Sequence, residues 1–354
     1  MIRSLAVAVV FSLVAVSARA DILIGSYGDG GLTPQPLRAF ADDADGDALP
    51  LRVLGGPQST IVSATGGSFE ANEGVVYVAD FWGQAIRVFP AYADGDVAPL
   101  RVLDAPILGQ ARTVLTDAAH GELLTTASGC CLVGFALDAS GSAPWLHLLD
   151  WGGSSTSVTQ LNYPGSLAYL AASDEVALTD SDFAPSFAPK VLVFNRADAG
   201  NTAPKRVIKG ELAGLGGWLG GIAWDAQAHV LFVGANTRLP DGSVSARILA
   251  FHDDDDGDVA PLRVIAGTAT GLELPSGSHL LGLAIDPLRR RLVASISADS
   301  VTTDNKLLVF GLDDDGDVAP LQVIAGPGTG MQSIGAPVWI PPDAIFDDAF
   351  DGPA

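Results

Sequence analysis

One short phrase occurs six times along this chain, and its spacing limits what the chain can fold into. It reads ADGDALPLRVL at Ala44–Leu54, ADGDVAPLRVL at Ala93–Leu103, ASGSAPWLHLL at Ala139–Leu149, ADAGNTAPKRVI at Ala197–Ile208, DDGDVAPLRVI at Asp255–Ile265 and DDGDVAPLQVI at Asp314–Ile324. The prolines of the phrase, Pro50, Pro99, Pro144, Pro204, Pro261 and Pro320, stand 45 to 60 residues apart. A period of that length with strand-like content marks a repeat architecture, in which each unit buries its apolar face only against its neighbours.

One repeat resolves into four short strands. Within Leu219–Gly267, the runs LGGIAWD, VLFVGA, ARILAF and PLRVIAG are apolar and β-rich. The turn AQAH, the loop NTRLPDGSVS and the acidic turn HDDDDGDVA separate them. Four strands in meander order, termed a to d from the centre outward, make one blade of a β-propeller. The blade containing ARTVLTD, ELLTTA, CLVGFAL and PWLHLLD is the most divergent. The chain ends complement each other. DILIGSY, PLRAF and PLRVL supply strands b, c and d, and IGAPVWI at Ile334–Ile340 supplies a lone strand a. Joined, they close an all-β, six-bladed propeller and remove its exposed strand edges. The expected layout is a signal segment over 1–20, a single propeller domain over 21–340 and a short acidic tail over 341–354.

The first twenty residues read as an export signal. Arg3 precedes an apolar run from Leu5 to Val16, and Ala18-Arg19-Ala20 has the small-residue pattern of a cleavage site. Export to the periplasm or the extracellular space is expected, without membrane insertion, because no later run is long enough to span a bilayer. The chain carries 41 acidic against 19 basic residues, a net charge of −22. Such a surface repels nucleic acid and anionic lipid and keeps a protein soluble. A monomer is expected.

GIAWD followed by LFVGA and ILAF, GLAID followed by LVASIS and LLVF, and VVYVAD followed by AIRVF resemble the repeats of NHL-type six-bladed propellers. That resemblance covers nearly all of the chain after the signal. It implies a binding scaffold and does not imply one activity.

Two features of the phrase admit a functional and a structural reading. Arg52, Arg101, Arg206 and Arg263 recur at one place on strand d, with His147 and Gln322 as replacements. They make either a ring of cations for an anionic partner or packing residues paired with the acidic turn before them. The turns themselves carry Asp-Gly-Asp in four copies. Asp254, Asp256 and Asp258, with Asp313, Asp315 and Asp317, are the densest carboxylates and are candidate calcium ligands. The structural reading is turn chemistry, Asp accepting local backbone bonds and Gly supplying a positive φ. No further cofactor is expected.

Meander order places the b–c and d–a loops together on one face, where the loops are longer and more varied. Binding groups collect on such loops. The candidate ligand-binding residues are Tyr27, Trp82, Cys130, Cys131, Asp180, Asp182, Asn236, Arg238 and Trp218, a mixture suited to a glycan, peptide or protein partner. Cys130 and Cys131 are the only cysteines, and an exported chain can hold them as a vicinal disulfide, as free thiols or as a link to another chain.

No catalytic signature stands out. The histidines, His120, His147, His229, His252 and His279, sit in no recognisable motif, and G-x-S-x-G, H-E-x-x-H and phosphate-loop patterns are absent. The expected function is therefore a non-catalytic binding module on the b–c/d–a face. One alternative is a lactonase- or esterase-like propeller using calcium held by Glu70, Asp117, Asp225 and Asp286. Another is a structural surface or assembly protein.

Overall fold

The computed structural model describes residues 20–27, 34–127, 131–150, 157–181, 188–298 and 304–342. They form six antiparallel sheets, each of four strands in meander order, arranged as a β-propeller. Blade one joins the ends: strand a is Ile334–Ile340, and strands b, c and d are Asp21–Ser26, Leu37–Ala41 and Arg52–Leu54. Asp21 pairs with Ile340 and Leu23 with Val338, so the last strand closes the ring against the first. Blade two comprises Ala64–Glu70, Val75–Asp80, Ala85–Pro90 and Arg101–Leu103. Blade three comprises Ala111–Asp117, Glu122–Ala127, Cys131–Ala136 and His147–Asp150. Blade four comprises Pro164–Leu170, Glu175–Asp180, Lys190–Asn195 and Arg206–Ile208. Blade five comprises Trp218–Asp225, Val230–Arg238, Val244–His252 and Arg263–Ile265, with Glu273–Leu274 added beside Val244–His252. Blade six comprises Ser278–Asp286, Arg291–Ala298, Lys306–Gly311 and Gln322–Ala325.

The divergent blade three forms like the others. Strand d is shorter than PLRVL suggests, because it starts at the arginine position, two residues after the proline. The run NTRLPDGSVS in blade five is a hairpin. Strands b and c continue through it, and Arg238 pairs with Val244.

The core is divided among the blade interfaces. One cluster packs Leu231, Val233 and Leu249 of blade five on Val191, Val193 and Ala177 of blade four. Another packs Ile22, Ile24 and Phe40 of blade one on Val293, Leu307 and Val309 of blade six. Phe40, Phe89, Phe135, Phe194, Phe251 and Phe310 occupy one repeat position on strand c, and all are fully buried. Burying a phenylalanine contributes about 2–3 kcal/mol, so this position is a repeated contribution to the packing of each blade.

The acidic turn of each blade clasps the blade before it. Gly257 bridges in parallel to Ile208, Gly316 to Ile265 and Gly46 to Ile324, and Gly95, Gly141 and Gly200 repeat the contact. The first Asp accepts a strand-d amide of the preceding blade: Asp94 Oδ1 from Val53, Asp256 Oδ1 from Val207, Asp315 Oδ1 from Val264 and Asp45 Oδ1 from Val323. The second Asp accepts amides just beyond that strand: Asp258 Oδ1 from Leu212 and Ala213, Asp317 Oδ1 from Ala269. The turn glycines hold φ between 59° and 83°, which favours a residue without Cβ.

Arg52, Arg101 and Arg206 reach across strand c rather than to the turn before them. Arg206 makes a bidentate pair with Glu175 at the head of strand b, at 3.1 and 2.5 Å. Arg52 Nη2 pairs with Asp21 Oδ2 at the head of its strand b, and His147 Nε2 lies 3.4 Å from Glu122. These side chains also accept the next blade as a neighbour: Arg206 donates to the Asp253 carbonyl and Arg263 to the Leu312 carbonyl. They are packing residues tied to strand b and to the following turn, because their length spans one strand.

Candidate functional site

Strand a of every blade carries one irregularity. Its register against strand b shifts between Ala64 and Gly66, Ala111 and Thr113, Pro164 and Leu167, Leu219 and Ile222, and Leu280 and Gly282. In blade one the same shift falls between Ile24 and Ser26 on the partner strand. Such bulges re-aim a side chain at the cost of local pairing. The extra residues, Thr65, Arg112, Gly165 with Ser166, Gly220, Leu281 and Ala336, line one cavity contributed by all six blades. This cavity is the central channel. It continues into a lobe of about 300 Å³ lined by Arg112, Tyr163, Thr179, Ser181, Trp218 and His279.

The channel changes character along its length. At the other mouth, again from six blades, the lining is Phe69, Leu115, Leu167, Trp224, Ile285 and Trp339 with their neighbours. Among the described residues no carboxylate lines any of these stretches. That is unexpected for a chain with 41 acidic residues.

Arg112 is the one charged residue among the six bulge positions. Its guanidinium carbon lies 3.9 Å from the Tyr163 ring centre and 5.4 Å from that of Phe81. Nε is buried without a hydrogen-bond partner. Burial holds the side chain down at a pKa of about 10, and the Tyr27 hydroxyl pulls weakly the other way. The Tyr27 hydroxyl is itself pushed up by burial, against the pull of Arg112. Among the described residues, aromatic faces stand where a counter-ion would normally be. Tyr27 packs at 5.2 Å on Phe81, and Phe81 at 5.1 Å, edge on, against Trp82. An aromatic train runs from the partly exposed Trp82 to the cation in the channel.

The residues singled out from the sequence divide accordingly. Tyr27, Trp82 and Trp218 lie at this mouth. Asp180 is fully buried, accepts the Asn162 and Tyr163 amides at 2.8 and 3.1 Å, and sits 3.3 Å from Lys190 Nζ. It holds the d–a loop, as Asp80 does in blade two. Asn236 is buried too, exchanging two hydrogen bonds with the backbone of Leu280. Asp180 ties a loop to a strand, and Asn236 ties strand b of blade five to strand a of blade six. Arg238 is exposed on its hairpin, away from the cavity lining. Cys131 is buried in the blade two–three core and is disulfide-bonded. Cys130 and Asp182 lie outside the described residues. Arg112, Tyr163 and Phe81 carry no binding signal in the sequence read one strand at a time, whereas His279, a d–a loop residue of the candidate face, lines the lobe. The aligned strands a would have singled out Arg112, as the only charged residue at its repeat position.

Five of the six candidate calcium ligands have protein partners. Asp256, Asp258, Asp315 and Asp317 each commit Oδ1 to backbone amides of the preceding blade, Asp313 lies 3.3 Å from Arg290, and Asp254 is exposed. Glu70, Asp117, Asp225 and Asp286 each accept amides from their own a–b turn. Among the described residues one group has the spacing of a metal site, Asp117, His120 and Asp174. Arg196 already supplies its cation, with Nε 2.8 Å from Asp174 and 3.3 Å from Asp117.

No family model matches the sequence, and a search of curated proteins finds no match. Solved structures do match. One described as the crystal structure of a nidogen/laminin complex superposes with a TM-score of 0.58 at 12% identity, covering 91% of this chain and 98% of that one. A Kuenenia stuttgartiensis hydrazine synthase matches at a TM-score of 0.49 and 11% identity, over 78% of this chain and 71% of that one. The first likeness shows the fold, a six-bladed propeller. No helix among the described residues is long and apolar enough to cross a membrane.

Proposed function

We propose that this protein is an exported, NHL-like binding propeller without catalytic activity, whose ligand enters the central channel at the b–c/d–a mouth. One observation carries the reading: six strand-a bulges converge on a single cavity beside Tyr27, Trp82 and Trp218. Bulges cost pairing energy, and six at one level build a lined recess on a rigid ring. The partner is a glycan, a peptide or an exposed segment of a protein, read by aromatic faces and loop groups. The calcium-dependent hydrolase reading gains no support from the channel, where no carboxylate stands among the described residues to hold the ion.

The test is a glycan and peptide array probed with the chain from residue 21 onward and with Trp218→Ala and Trp82→Ala. Selective binding weakened about tenfold or more by either substitution supports the reading. Binding that is indifferent to both, or lost only on removing 341–354, favours an assembly role.

A further inference from the structure

We propose that the channel mouth is a carboxylate site, with the Arg112 guanidinium as the anion receptor for a small organic acid or for the acidic group of a larger ligand. The inference rests on the binding reading above and names the chemistry of what binds.

Three independent observations support it. The first is charge without compensation. Each of Arg52, Arg87, Arg101, Arg196, Arg206 and Arg289 has a carboxylate partner. Arg112 has none among the described residues, although it lines the channel. A partly buried cation with no carboxylate partner among the described residues is costly. The second is placement. Arg112 stands at a bulge, so its aim into the cavity is built by the backbone. The third is the surroundings. Tyr163, Phe81 and Trp218 give flat apolar walls around the cation, and no described carboxylate in the lining repels an incoming anion.

The number and shape of the charge select the ligand. One guanidinium balances one negative charge, and its planar fork matches a carboxylate. A phosphate dianion would leave an excess negative charge in a low-dielectric channel inside an acidic protein. Aromatic walls add area for a ring or an alkyl segment next to the carboxylate.

The experiment uses two matched pairs, benzoate against benzyl alcohol and glucuronate against glucose, titrated on the chain from residue 21 onward by tryptophan fluorescence. The expected result is saturable binding of at least one acid at millimolar concentration and about 10- to 100-fold weaker binding of its neutral partner. Arg112→Gln should remove that preference. Whether the variant folds is read from its melting transition. As a measurement that needs no variant, the Arg112 Nε–H NMR signal of the wild type should shift with the bound acid and stay put with the alcohol. Equal binding of acid and neutral partner, or an acid preference that survives Arg112→Gln, overturns the anion site and leaves the binding reading standing. No saturable response to either acid overturns it as well, and the array of the preceding section then decides the broader reading separately.

Discussion

Arg291 donates from Nη1 to Gln322 Oε1 at 2.8 Å, linking the head of strand b to strand d across strand c in blade six. Blade four makes the same link with the charges arranged differently, Glu175 on strand b and Arg206 on strand d. In blades one and four the strand-d arginine faces an acidic residue at the head of strand b, Asp21 or Glu175, whereas in blades two and five strand b begins with Val75 or Val230. Where strand b begins with an arginine, strand d carries a neutral acceptor, because two guanidinium groups at that distance would repel.

Glu175 should make the fold acid-sensitive. Burial would push its carboxyl up, but hydrogen bonds from Arg206, Lys205 and Ser173 outweigh that and hold it down at about 2. A pKa below the unfolded value of 4.5 contributes stability that is fully present above about pH 4.5 and is lost as pH falls toward 2. Glu175→Gln is expected to cost about 3 kcal/mol near neutral pH, since it strands two cations, and to flatten the acid limb. Urea midpoints at neutral pH and in that acid window check both.

The clasp between blades predicts a dependence between two distant positions. Gly267 has φ 124°, and a Cβ there would stand 2.4 Å from Asp317 Cγ. Gly267→Ala is expected to destabilise by about 1–3 kcal/mol. Shortening the neighbour, as in Asp317→Ser, should relieve part of that loss, leaving the φ strain. Blades two and three already show the pairing, with Ala105 in place of the glycine and Ser142 in place of the aspartate. A double-mutant cycle measures the coupling.

Asp315→Asn keeps an oxygen acceptor for the Val264 amide and removes a charge. It should change stability by less than about 0.5 kcal/mol, whereas Asp315→Ala should cost about 1 kcal/mol, as for a lost cap. Melting in excess calcium and in chelator separates the clasp from a metal role: a calcium-dependent rise that Asp315→Asn abolishes would mean that this turn holds the ion.

Arg112→Met should stabilise the protein while removing acid binding. A partly buried cation with no carboxylate among the described residues is a stability cost, and an apolar chain of similar length fits the aromatic walls. The expected gain is about 1–3 kcal/mol, read from denaturant midpoints.

Removal of 334–340 should open the ring. Asp21–Ser26 would lose its inner partner and expose a strand edge beside the Ile22–Ile24 core. Loss of a single cooperative transition, with self-association seen by light scattering, is the expected outcome.

The repeat phrase by itself determined six blades, their strand order and the closure by both chain ends. Each of these follows from local periodicity and from the need to leave no edge unpaired, and both are written in the order of residues. The strand-c phenylalanines were equally legible, as Phe40, Phe89, Phe135, Phe194, Phe251 and Phe310 show. What each acidic residue does was decided only by the tertiary structure. Asp256 and Asp315 stand in a row of acids, and only the fold shows that each gives Oδ1 to an amide about fifty residues away in the preceding blade. Asp180 and Asn236 look like loop groups for a ligand, yet folding turns them inward. Arg112 looks like an ordinary strand residue, and a one-residue bulge aims it into the channel. A bulge is a mismatch between two strands, so neither strand's sequence states it alone. The identity of a side chain is local, but its partner is set by which backbone groups the closed ring brings beside it.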